Sequence, residues 1–107
     1  MPITIIVEDG SNVANANSYL SAPDARAYAA NRGVALSDDD DVIASQLIVG
    51  MDYLEARECD MQGSRTYDDQ ALAYPRTGVV INCKAVADDA IPSQLKGALA
   101  QLVMALE

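Results

Sequence analysis

Leu95, Leu99, Leu102 and Leu106 recur at i, i+4, i+7 and i+11, the spacing of one face of an α-helix. The opposite face of that segment carries Gly97, Ala100 and Met104, small or pliable residues that let another helix come close. A helix apolar on both sides has to be packed on both sides. The same holds earlier in the chain, where Ile43, Leu47, Met51 and Leu54 form a stripe and Val42, Ile48 and Val49 carry apolar character nearly all round. Such a helix is buried between neighbours, within the monomer or across a subunit contact.

Start signals place three helices. Ser21 with Asp24 three residues on is a capping box, Pro23 lies in the first turn, and Gly33 ends the pattern, predicting a helix over 21–32 with Ala25, Tyr28 and Ala29 inward. Ser37 with Asp40 repeats the box and predicts a second over 38–57, with the acidic run Asp38–Asp41 at its positive end. A calcium loop is the sharper reading of that run, but it has no central Gly and no closing Glu. Pro92 opens the third, over 92–106. The β-branched run Ile3–Val7 reads as a short strand covered on both faces, paired with Val79–Ile81, and Asn82-Cys83-Lys84 as the next turn. With no Trp or Phe, the core must be built from Ala, Val, Ile, Leu and Met. The expected fold is mainly α, a small bundle of about three helices with a short two-stranded β element, in one domain over residues 1–107.

Charge and residue usage exclude several functions. Sixteen acidic against seven basic residues give −9, a field that opposes a phosphate backbone. Cys59 and Cys83 form no C-x-x-C and the chain has no His, so the usual zinc patterns are absent and no metal or cofactor is expected. Catalysis is the weakest reading. Asp68 and Asp69 are adjacent loop acids, and Cys59 lies between Glu58 and Asp60, which disfavour a thiolate. No basic region precedes the first apolar run, and the apolar stretch Leu95–Leu106 carries Lys96 and falls short of the ~20 residues a membrane span needs. The chain reads as soluble, in the cytoplasm, with reduced cysteines.

The stretch ALAYPRTGV, Ala71–Val79, stands out as a stiff turn between the helical half and a short strand. Pro75 fixes its own φ and pushes Tyr74 toward extended geometry, and Gly78 permits a positive φ. The turn is expected to present Arg76 as a principal assembly contact, with Arg65, Tyr74, Pro75 and Gly78 around it. The preceding Met61–Tyr74 is long for a loop in a compact domain, which marks it as functional or disordered. Arg65, Arg76 and Lys84 also offer cations beside Tyr67 and Tyr74, as single-stranded DNA binding requires, but Asp60, Asp68, Asp69, Asp88 and Asp89 outnumber them five to three.

VEDGSNVANANSYLS over 7–21, Asp24-Ala25, Ala27-Tyr28, Asp52-Tyr53-Leu54, Gly63-Ser64-Arg65, ALAYPRTGV, Ile91-Pro92 and Leu95-Lys96 follow one another in an order that resembles a tailed-phage family. That family carries two labels, head-tail connector or adaptor and DnaT-like single-stranded DNA-binding protein. Tyr74 stands where many relatives have Trp, and relatives extend some tens of residues past this end, which implies a C-terminal tail that the 107 residues lack. The connector label implies a homo-oligomeric ring, of about a dozen subunits in such families, between the portal and the neck or tail completion proteins. DNA would pass through without tight binding, and the protein would be found in the host cytoplasm during assembly and then in the virion neck. The alternative is the DNA-binding label.

Overall fold

The computed structural model describes residues 3–106. Three helices form the body: α1 (Ala22–Ala30), α2 (Asp40–Glu55) and α3 (Ser93–Ala105). A 3-10 turn, Glu58–Asp60, follows α2, and two small antiparallel sheets lie between α2 and α3. β1 (Ser64–Arg65) pairs with β2 (Arg76–Thr77), and β3 (Val80–Ile81) with β4 (Lys84–Ala85). The fold is the small, mainly helical bundle that the periodicity predicts.

The α1 start follows its capping box, with Ser21 Oγ accepting from the Asp24 N–H. It ends in a Schellman arrangement: the Gly33 N–H donates to Ala30 O and the Val34 N–H to Ala29 O. The α2 start differs from expectation. Asp39, not Ser37, is the N-cap, accepting from the Asp41 N–H at 3.0 Å, while Ser37 Oγ accepts from the Asp39 N–H. Asp40 turns away to Arg26 at 2.7 Å, so the box partner that Ser37 needs is taken by an ion pair.

The α2 stripe is buried as its spacing requires: Ile43 and Leu47 are fully enclosed and Met51 nearly so. In α3 the buried side is Leu99, Ala100 and Val103, between the leucine stripe and the small-residue face, and Leu106 stays exposed. Gly50 leaves room for α3 to lie close against α2. A Cβ there would lie 2.8 Å from Leu99 Cδ1. On the other side Gly97 admits the ring of Tyr28 from α1.

The expected pairing of Ile3–Val7 with Val79–Ile81 is corrected by the structure. Val7 makes only an isolated parallel bridge to Ser18, and Ile3 is exposed. Asn17 takes the place of a partner strand: its Oδ1 accepts from the Ile6 N–H and its Nδ2 donates to Thr4 O. β3 finds its partner locally across Asn82-Cys83, both with positive φ (54° and 66°), the geometry of a two-residue hairpin turn.

Candidate functional site

The Ala71–Val79 turn is gripped from four directions. Gln70, buried, donates through Nε2 to the carbonyls of Leu72, Ala73 and Pro75 at 2.7 to 3.0 Å, and its Oε1 accepts from the Tyr67 N–H. Glu55, at the end of α2, accepts from the Ala73 N–H at 2.8 Å and from the Tyr19 hydroxyl at 3.2 Å. That hydroxyl in turn accepts from the Tyr74 N–H, and the two tyrosine rings meet edge to face at 6.4 Å. The Tyr74–Pro75 peptide is cis.

Arg76 closes the fourth side. Its Nε donates to Gln62 O, Nη2 to Gly63 O, and Nη1 to Ala73 O and to Glu58 Oε2. Arg65 lays its fork on the same Glu58 carboxylate at 2.7 and 2.8 Å and donates also to Gln70 O. One carboxylate thus serves two guanidiniums. Gly63 lies so close to Thr77 O of β2 that no side chain fits, which accounts for the glycine in Gly63-Ser64-Arg65.

These contacts set the local electrostatics. The Arg65 hydrogen bonds hold the Glu58 carboxyl down at about 2; partial burial opposes them and Arg76 adds to the lowering. Burial raises Glu55 above the ordinary glutamate value, against the hydrogen bonds from Ala73 and Tyr19. Burial, and then the charge of Glu55, push the Tyr19 hydroxyl up.

The five residues expected at an assembly surface therefore separate. Arg65 and Gly78 remain exposed, whereas Tyr74, Pro75 and Arg76 are buried, Arg76 to 6% exposure. Arg76 is not presented outward: its charge is consumed inside the monomer by Glu58 and three carbonyls. Sequence reading missed Glu55, Glu58 and Gln70, which are polar residues without periodicity. It also missed Glu8 in the VEDGSN stretch, a fully buried carboxylate that accepts from the N–H groups of Gly10, Asn12 and Val13. A glutamate just before a glycine turn was the available signal.

The open surface lies elsewhere. Val42, Val49 and Tyr53 along α2 are 39%, 53% and 51% exposed, and Leu106 is 47% exposed. Between α2 and α3, Val49, Tyr53 and Leu106 border a shallow apolar groove of about 160 Å³ that also includes Gly50, Leu102 and Ala105. Arg57 lies 4.8 Å over the Tyr53 ring and donates to its hydroxyl, and Arg32 lies 3.5 Å over Tyr28. A larger open cavity, about 370 Å³, contains Tyr67, but Asp9 and Asp89 line it.

Among the described residues, no group of three or more His, Cys, Asp or Glu could hold a metal ion, and no helix is long and apolar enough to cross a membrane.

A small helical domain with an internally clamped turn and an uncovered apolar helix face defines the class. The chain belongs to the family described as "Putative DnaT-like ssDNA binding protein", whose model matches residues 3–107. No curated protein and no solved structure matches it.

Proposed function

We propose that the chain is a structural subunit of a phage head-tail connector, a homo-oligomeric neck ring that joins portal to tail completion proteins while DNA passes through. The observation that carries the reading is the exposed stripe Val42, Val49, Tyr53 and Leu106, a face that wants a protein neighbour. The charge of −9 fits a lumen past which DNA slides without sticking. The role needs no catalysis and no cofactor. Gold-labelled antibody against the chain should mark the neck of mature particles; particles that lack the chain contradict the reading.

The family description favours a second reading, single-stranded DNA binding. Its best physical support is two arginine–tyrosine stacks, Arg57 on the exposed Tyr53 and Arg32 on the half-buried Tyr28. Against it, Arg65 and Arg76 are spent on Glu58, Arg26 pairs with Asp40, and Tyr67 lines an acidic cavity. The connector reading expects no submicromolar binding of an unstructured oligonucleotide at ~0.15 M salt. Tight binding whose logarithm falls with log salt by about 0.7 per phosphate contact would favour the second reading.

A further inference from the structure

The exposed stripe on α2 has a charge pattern at its two ends. With ~100° of rotation per residue, Val42, Val49 and Tyr53 fall within ~40° of one another. Asp39, the N-cap, and Arg57, two residues past Glu55, flank the helix, and continuing its rotation puts both ~60° to the same side of Val42 at opposite ends. Each is nine residues from Ile48. Both are exposed, Asp39 as the N-cap and Arg57 just past the last turn over the Tyr53 ring. A twofold axis across an antiparallel helix pair brings together residues on the same side and equidistant from its centre.

We propose that a second copy of this chain covers the stripe, the two α2 helices packing antiparallel about an axis near Ile48–Val49, with Asp39 of each copy facing Arg57 of the other. Val49 then meets Val49 at the centre, and Val42 of one copy meets Tyr53 and the apolar groove of the other. The helix dipoles oppose, and the acidic start of one α2 lies beside the end of its mate. Asp41 and Asp52 lie ~80° to ~100° off the stripe on its far side, outside the seam. The pairing rests on the assembly reading of this face. Because an isologous contact closes at two copies, it describes the protein before assembly, when no ring neighbour covers the stripe.

The test combines sedimentation over a concentration series with cross-linking. In a chain carrying Cys59→Ser and Cys83→Ser, Val49→Cys should form a covalent dimer on mild oxidation. Val80→Cys, at another exposed apolar position, should not. Arg57→Glu should weaken self-association by about tenfold or more, since each contact becomes a repulsion, and rising salt should weaken the wild-type pair. Val49 is half exposed, so its variants keep their helix content by circular dichroism. A wild type that stays monomeric at every concentration, or a Val49→Cys chain that oxidises without linking, overturns the pair. If larger assemblies form while Val49→Cys stays unlinked, the antiparallel pair is wrong and the assembly reading stands. A monomer that binds oligonucleotide tightly defeats both.

Discussion

Arg76 shows what a buried cation does for a turn that has little regular structure. Four acceptors converge on one guanidinium, and three are carbonyls with no other arginine to serve them. Arg76→Ala leaves the Gln62 and Gly63 carbonyls without that donor, while Ala73 O keeps Gln70 and Glu58 keeps the Arg65 fork. The substitution should cost roughly 3 kcal/mol, read from denaturant unfolding of the isolated protein. Arg76→Lys should recover little, since an ammonium cannot span the same acceptors. A variant as stable as the wild type would show the network to be dispensable. Glu58 gives the matching pH test. Its carboxyl is held at about 2, below its ordinary 4.5. Its stabilisation is therefore complete above pH 4.5 and is lost as pH falls toward about 2. Glu55 is shifted upward and works in the opposite sense, so the informative quantity is the difference between wild type and Glu58→Gln. That difference should be largest near neutral pH and shrink through the same window.

At the scale of elements, local signals were legible and distant partners were not. The helix stripes could be read because a 3.6-residue period is written in neighbouring residues, and Ile43, Leu47 and Met51 are buried as the spacing requires. The strand pairing could not, because Ile3–Val7 and Val79–Ile81 each had a nearer partner. Asn17 satisfies one and the Asn82-Cys83 turn closes the other. The turn at Ala71–Val79 was recognisable as the organising stretch from its Pro and Gly. Its orientation was not, since burial of Arg76 depends on Glu58 and Gln62 brought in by tertiary folding. Cys83, at φ 66°, holds a conformation that favours glycine. Cys83→Gly should raise stability by about 0.5 kcal/mol or more in thermal unfolding, since it matches the Asn-Gly preference of this turn. A loss of stability would mean that the Cys83 side chain contributes to packing at the hairpin tip.

For the whole molecule, the clamped turn is internal architecture, and under the proposed function the uncovered α2–α3 face is where the chain meets another protein. The family to which the chain belongs is described by DNA binding, yet three of its five arginines are paired with its own carboxylates. The two views separate in one measurement: sedimentation velocity of the wild type and of Val49→Asp, each with a fluorescent unstructured oligonucleotide at ~0.15 M salt. A charge placed at the centre of the stripe, on a half-exposed position, leaves the fold intact and spoils any apolar contact across it. The account predicts that the wild type sediments faster than a monomer as concentration rises, that Val49→Asp stays monomeric, and that the oligonucleotide moves with neither. A monomeric wild type that carries the oligonucleotide with it would contradict the account.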